Sequence, residues 1–151
     1  MKVSVQKEGF DVGAELRSLH RDSRVGALAS FVGVVREVAM TLEHYPQMTQ
    51  SAIGKIVEEA RSRWQVTDCT VIHRYGELQP ADQIVLVAVA SAHRGDAFAA
   101  CEFIMDYLKT QAPFWKKEHH PEGARWVNAL DSDDQAAERW RKLKQPRLLN
   151  P

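Results

Sequence analysis

The chain has 151 residues, enough for one domain with a substantial core. Its 20 lysines and arginines are balanced by 20 aspartates and glutamates, so it lacks the overall basic field that is usual in nucleic-acid-binding proteins. No apolar run approaches the roughly 20 residues that cross a bilayer, and the first ten residues do not have the pattern of a signal peptide.

The first 64 residues predict three strands and two helices. In chain order they are a strand at 2–6, a helix at 11–20, a strand at 25–35, a strand at 39–45 and a helix at 46–64. Asp11 can cap the first helix, and Gly33 lets a backbone or a ligand approach the third element, which we expect to be buried. Apolar residues at helical spacing are Val12, Leu16 and Leu19 in the first helix and Met48, Ala52, Ile56, Ala60 and Trp64 in the second.

The second half continues the mixture of strands and helices. We predict strands at 69–76 and 83–92 with turn residues between them, a helix at 95–110, strands at 114–120 and 124–130, and a short helix at 132–140. Asp96 can cap the 95–110 helix and Pro113 ends it. The apolar stripe of that helix contains Phe98, Cys101, Ile104, Met105 and Leu108.

This order of elements lacks strict βαβ alternation, which favours an α+β fold with a mostly antiparallel sheet and flanking helices. The almost continuously apolar strand at 83–92 is expected to be central. We predict a single domain at 1–140 and a basic C-terminal tail at 141–151. Cys69 and Cys101 lie far apart without metal-ligand spacing, so we expect a reduced, cytoplasmic protein with both thiols buried.

Cations crowd beside an apolar segment in DYLKTQAPFWKKEHH, residues 106–120. The stretch is either a solvated helix end or a pocket for an anion. Lys109 falls in the last helical turn, where the helix dipole favours a cation in any case. Strand alternation puts Lys116 and Trp115 on opposite faces, so Lys116 is either exposed or part of a pocket. The spacing alone leaves both alternatives open.

A second candidate anion site is the junction SAHRGDAF, where a strand ends and a helix begins. Free N–H groups at a helix N-terminus bind anions, and an arginine adds a fork of donors. His93 and Arg94 therefore suit a phosphate or a carboxylate, although from the residues alone a solvated arginine and a histidine at the edge of the core are the favoured explanation. Arg36, close after Gly33, is a further candidate.

The histidines do not predict a metal site. Adjacent residues in a strand face opposite ways, so His119 and His120 do not form half of a zinc site. His44 and His73 lie in predicted strands and are interpreted as structural. The nucleophile-elbow, P-loop and dinucleotide-binding motifs are absent from the sequence.

Five segments carry a resemblance to a known family: TLEHYPQMT, VIHRYGEL, SAHRGDAF, FIMDYLKTQAPFWKKE and PEGARWV. They resemble the large, catalytic subunit of molybdopterin synthase over about Phe31 to Trp140. MDYLKTQAPFWKKE is long and unusual, so it is the most specific of them. The resemblance implies an α/β-hammerhead fold.

The resemblance also implies a reaction and partners. A small ubiquitin-like sulfur-carrier subunit with a C-terminal Gly-Gly thiocarboxylate would pass its sulfur to cyclic pyranopterin monophosphate, which makes the dithiolene of molybdopterin for the molybdenum cofactor. The large subunit would form a homodimer within a heterotetramer, with no metal or other cofactor, no nucleic acid and no membrane. Phe114, Trp115 or Phe31 would supply apolar walls for the pterin and the carrier tail.

The same resemblance assigns the site. Lys109 and Lys116 would be catalytic, and the substrate-binding residues would be Val34, Val35, Arg36, His93, Arg94, Lys117 and Glu118. The family usually has a longer polar loop between the VR strand and the TLEHY strand, so the short VVREVAMTLEHY means either a deletion or a missing segment. The alternative functions are a non-catalytic anion-binding or protein-interaction module and, less favoured by the charge balance, an RNA-binding domain.

Overall fold

The computed structural model describes residues 1–127 and 131–143 of the chain. The strands are β1 (Lys2–Gln6), β2 (Ala27–Val34), β3 (Met40–His44), β4 (Asp68–Arg74), β5 (Gly76–Leu78), β6 (Gln83–Ser91), β7 (Phe114–His120) and β8 (Gly123–Val127). The helices are α1 (Val12–Leu19), α2 (Pro46–Arg63), α3 (Arg94–Gln111) and α4 (Asp131–Leu143). The predicted strand at 124–130 and the predicted tail lie partly outside the described residues, and the division into domain and tail stays a prediction.

The first sheet has the strand order β1-β4-β6-β2. β1 runs parallel to β4, whereas β6 is antiparallel to both of its neighbours. Alternate residues of β6 face opposite layers: Val85, Val87 and Val89 pack towards α2 and α3, and Leu86, Ala88 and Ala90 pack towards α1. Burial on both faces explains why β6 is a continuous apolar run, and its predicted central place is confirmed.

The second sheet has the order β5-β3-β7-β8 and is antiparallel throughout. Its inner face forms a small core from Met40, Leu42 and Leu78, joined by Val35 from the segment after β2. The predicted α+β class, with mostly antiparallel sheets and flanking helices, is confirmed. β5 was not predicted, because three residues in a turn-rich segment carry no usable alternation.

The prediction that the 25–35 strand is buried is wrong. Among the described strands β2 pairs with β6 alone and forms an edge of the sheet, and Leu28, Phe31 and Val34 are exposed. Gly33 does sit at a close approach, but to a neighbouring side chain. A Cβ there would lie 2.8 Å from Cγ1 of Val85, so any larger residue would require the Val85 side chain or the backbone to shift.

Two predicted helix details are also wrong. α2 buries Thr49, Ile53, Ile56, Val57 and Ala60, while Met48 is 62% exposed, because the stripe containing both Ile53 and Ile56 buries more apolar area than the one through Met48. α3 begins earlier than predicted, with His93 as its N-cap, and Phe98 is exposed. The Asp96 carboxylate accepts a hydrogen bond from the backbone N–H of Gln65 instead of capping α3.

Both cysteines are free and buried, as predicted. Burial raises the pKa of the Cys69 thiol to about 12 and that of Cys101 to about 11, so neither forms a thiolate nucleophile near neutral pH. A search of the described helices finds none with the length and apolar character of a membrane span.

Candidate functional site

The first sheet and α3 determine which of the predicted site residues lie close together. β6 runs from Gln83 to Ser91, and α3 then packs back along the sheet from Arg94 to Gln111. The C-terminal end of α3, with Lys109, therefore lies at the Gln83 end of β6. β2 is antiparallel to β6 and finishes opposite Gln83, so Arg36 leaves the sheet at this same end.

His93 and Arg94 lie at the opposite end of α3 from Lys109. Arg94 and Lys109 are fifteen positions apart on one continuous helix, which separates them by about 22 Å at 1.5 Å per residue. One copy of the chain thus places Lys109, and β7 with Lys116 just after it, at the end of α3 opposite to the His93–Arg94 pair.

An aromatic cluster joins the end of α3 to the start of β7. The ring of Phe114 stacks on the imidazole of His73, with centroids 3.8 Å apart and planes inclined by 18°. His44 lies beside the same phenyl ring at 5.8 Å. Burial is the main cause that lowers the pKa of His73, and the charge of the Lys109 ammonium adds to this shift.

Lys116 extends from the same face of β7 as Phe114, two residues or about 6.6 Å further along the strand. Its ammonium lies 3.3 Å from Oε1 of Glu118, whose other carboxylate oxygen is 2.8 Å from Nε2 of His120. The contact with His120 and then the contact with Lys116 lower the pKa of Glu118. An incoming anion can compete with Glu118 for Lys116, since the Lys116 side chain is 39% exposed.

Lys117 lies on the opposite face of β7. Its ammonium is 5.3 Å from the centre of the Trp126 ring, and Trp115 on that face meets Tyr45 edge to face at 4.5 Å. Phe114 therefore belongs with Lys116, whereas Trp115 and Lys117 do not. Of the three proposed apolar walls, Phe114 is the one that shares a face of β7 with Lys116.

The connection from β2 to β3 is short and tightly bonded. The backbone N–H of Val35 donates to Asp82, and its carbonyl accepts from Ala81, so Val35 is held by main-chain bonds as well as by burial. Glu37 has a φ of 70°, and the N–H of Val38 donates to the carbonyl of Arg36 at 2.8 Å, which is a γ-turn. Val34 and Arg36 remain exposed, with Arg36 as the first residue of this turn and Glu37 at its tip.

The burial of His73 has a consequence for stability. Burial is the main cause that lowers its pKa from 6.5 to about 4, so the folded protein holds this imidazole neutral. Below pH 6.5 the unfolded chain binds a proton that the folded chain does not, and stability falls as the pH falls. Between pH 8 and pH 5 this one group costs about 2 kcal/mol of unfolding free energy.

We therefore expect the free energy of unfolding, measured in urea, to fall less between pH 8 and pH 5 for His73→Phe than for the unmodified protein. The difference between the two pH-induced losses should be about 2 kcal/mol. His44, whose pKa burial also lowers, keeps part of the acid sensitivity in the variant. Equal losses in both proteins would contradict a neutral His73.

Neither of two concave surfaces of the described chain contains Lys109, Lys116, His93 or Arg94. One is a groove of about 560 Å³ between β1 and α2, and the other holds about 290 Å³ between α2, α3 and α4. An anion site needs hydrogen-bond donors, and the larger groove is lined mostly by apolar atoms. The charged side chains therefore indicate the functional site better than these two hollows do. Within the described residues, no group of three or more His, Cys, Asp or Glu could hold a metal ion.

The fold is α+β, and it carries cationic side chains at two separate places, with Lys109 at one end of α3 and Arg94 at the other. The family model described as MoaE protein matches residues 5–111. The chain belongs to this family. The recognition made from the sequence motifs is confirmed.

Individual relatives agree. A molybdopterin synthase catalytic subunit of Ralstonia nicotianae is 56% identical over 146 residues, covering 91% of this chain and 83% of that protein. The structure of a molybdopterin biosynthesis MoaE protein from Burkholderia ambifaria MC40-6 is 55% identical with a TM-score of 0.82, covering 93% of this chain and 97% of its own. A complex of subunits 1 and 2 of the molybdopterin-converting factor from Helicobacter pylori 26695 has a TM-score of 0.71 at 18% identity, covering 83% of this chain and 90% of its own, and shares the fold.

In the structure, the γ-turn at Glu37 closes the short connection between β2 and β3 without a further loop.

Sequence reasoning missed two members of the lysine environment. His120 pairs with Glu118, and the i, i+2 alternation of β7 was sufficient to predict that they share a face. His73 was interpreted as structural only. Its contact with Phe114 joins strands of two different sheets, which no local pattern in the sequence reveals.

Proposed function

We propose that this chain is the catalytic subunit of a molybdopterin synthase. It accepts sulfur from the thiocarboxylated Gly-Gly tail of a small ubiquitin-like carrier subunit and delivers it to cyclic pyranopterin monophosphate. The observation that carries the proposal is the grouping of Lys109, Phe114 and Lys116 at one end of the molecule, within a chain of the MoaE family.

The chemistry at this end suits sulfur transfer. The carrier tail and the substrate are both anionic, and a charge-assisted hydrogen bond to either contributes about 1.5–3 kcal/mol. Lys109 would exchange protons with the reacting centre or form a covalent intermediate, and Lys116 would assist once an anion displaces Glu118. Phe114 would offer an apolar surface for the pterin or the tail.

We further propose that each site is completed by a second copy of the chain. The separation of about 22 Å along α3 keeps His93 and Arg94 away from the lysines of their own chain. In a two-fold dimer, the Arg94 end of one copy can face the Lys109 end of its partner twice. His93 and Arg94 would then hold the phosphate or the tail carboxylate, with Arg36 beside the lysines. The homodimer, the heterotetramer with two carriers, the single-domain organisation and a cytoplasmic location belong to the same proposal.

The direct test is reconstitution. The purified chain is mixed with thiocarboxylated carrier and cyclic pyranopterin monophosphate, and dithiolene formation is measured. Turnover with the thiocarboxylate and none with the unmodified carboxylate would support the synthase. Carrier binding without any turnover would favour the alternative, a protein-interaction module on the same scaffold.

Lys116 and Lys117 offer a matched pair of variants in this assay. Lys116→Ala should lower the rate of sulfur transfer by about tenfold to a hundredfold, because the removed ammonium lies on the Phe114 face. Lys117→Ala removes the neighbouring ammonium on the opposite face and should change the rate by less than about twofold. If the two losses were similar, the Phe114 face could not be the reaction surface.

A further inference from the structure

His73 lies at the end of β4, where the two sheets meet. On the first sheet it pairs with Val5 of β1 and Val85 of β6. Its ring stacks on Phe114 of the second sheet at 3.8 Å. Phe114 begins β7 only five residues after Lys109, and its N–H donates to the carbonyl of Ala112 in a tight turn. The stack therefore fixes the direction in which the chain leaves α3 and enters the strand that carries Lys116.

The hydrogen bonds of His73 determine its tautomer. Nδ1 lies 2.8 Å from the carbonyl oxygen of Arg74, which can only accept, so Nδ1 carries the proton. Nε2 of the neutral ring then holds a lone pair. No fully buried side-chain nitrogen or oxygen in residues 1–127 and 131–143 lacks a hydrogen-bond partner, and Nε2 contacts no donor among them, so solvent reaches it.

Burial, with the charges around the ring, keeps the imidazole of His73 neutral. Lys109 from α3 and His44 from β3 are the ionisable groups that face it, and both oppose its protonation together with burial. An uncharged imidazole neither repels the Lys109 ammonium nor forms an ion pair with it. The charge of Lys109 stays available for an anionic substrate.

We propose that His73 is a positioning residue for sulfur transfer: its ring, stacked on Phe114, fixes the turn between Lys109 and Lys116. This inference rests on the proposed function, because it gives Lys109 and Lys116 their roles. In this role His73 would contact neither the carrier nor the pterin. Its loss should therefore lower kcat and leave the KM for the thiocarboxylated carrier unchanged.

Two variants separate the ring from its nitrogen. His73→Phe keeps an aromatic ring on Phe114 and removes Nε2, whereas His73→Ala removes both. We expect kcat to fall by about tenfold or more in His73→Ala, with His73→Phe lying between His73→Ala and the unmodified enzyme. Assays are run at a temperature where circular dichroism shows each variant fully folded, so a loss of folded protein does not enter the comparison.

Lys109→Ala is assayed beside them. If Lys109→Ala is inactive but His73→Ala has an unchanged kcat, or if His73→Ala and His73→Phe lose the same amount, the positioning role is overturned while the proposed function stands. A higher KM for the carrier at constant kcat would likewise overturn it, since the defect would lie in docking. Full turnover by Lys109→Ala would instead overturn the proposed function.

Discussion

Lys109→Ala and Arg94→Ala, each inactive as a homodimer, are expected to regain about a quarter of the unmodified activity when their subunits are mixed in equal amounts. Each single variant should lose at least about a hundredfold in sulfur transfer, because every site of its homodimer lacks either the lysine or the arginine. In the mixed dimer, one site combines the two defects. The other combines an intact Lys109 from one copy with an intact Arg94 from its partner.

The expected recovery follows from random assortment. About half of the dimers contain one copy of each variant, and one of the two sites in each is intact. The physical basis is the distance of about 22 Å between the two ends of α3, which no rearrangement short of breaking the helix can close within one chain.

The mixture is prepared by co-expression, and dithiolene formation is measured with thiocarboxylated carrier. A Lys109→Ala and Lys116→Ala mixture is the control, since both lysines belong to the same end and no intact site can form. The expected pattern is about a quarter of the unmodified activity in the first mixture and no more than the residual activity of Lys116→Ala in the control. If neither mixture is active, Arg94 and Lys109 act within one copy or Arg94 has no part in the reaction.

The sequence alone predicted the fold class and most elements because their signals are local. The alternation of β7, the apolar run of β6 and the Asp11 cap of α1 each act within a few residues, and the structure contains all three. Burial was predicted less well. Whether β2 is an edge strand depends on strand order, and whether Met48 or Ile53 faces inward depends on what packs against α2.

For the candidate site, too, the local features were predictable from the sequence and the long-range distances were not. Motif resemblance assigned Lys109, Lys116, His93 and Arg94, but gave them a single pocket without a distance. The distance became evident only when His93 and Lys109 were found at opposite ends of one unbroken helix. The separation of Lys116 from Lys117 was within reach of sequence reasoning, because alternate residues of a strand face opposite ways.

Trp140→Ala should destabilise the protein by about 3–5 kcal/mol. A loss of that size would show that the C-terminal end of the predicted domain belongs to its core. Trp140 is 6% exposed and meets Trp64 and Phe103 edge to face at 5.4 and 5.6 Å. Its indole N–H donates to the Asp106 carboxylate at 2.6 Å, and the backbone carbonyl of Trp140 accepts from Arg63. Removal of the side chain leaves a cavity between α2, α3 and α4.

Two further variants identify the source of that loss in urea unfolding. Trp140→Phe keeps most of the packing and removes only the bond to Asp106, which still accepts from Arg139, so about 1 kcal/mol should be lost. Trp126→Ala removes the same side chain from a position that is 56% exposed, where less than about 1 kcal/mol is expected. Because α4 packs on the helix that carries Lys109, the Trp140→Ala variant should also lose sulfur transfer at temperatures where Trp126→Ala remains folded. Equal stability of the two alanine variants would mean that α4 does not dock on α3 in solution, and the domain would then end before residue 131.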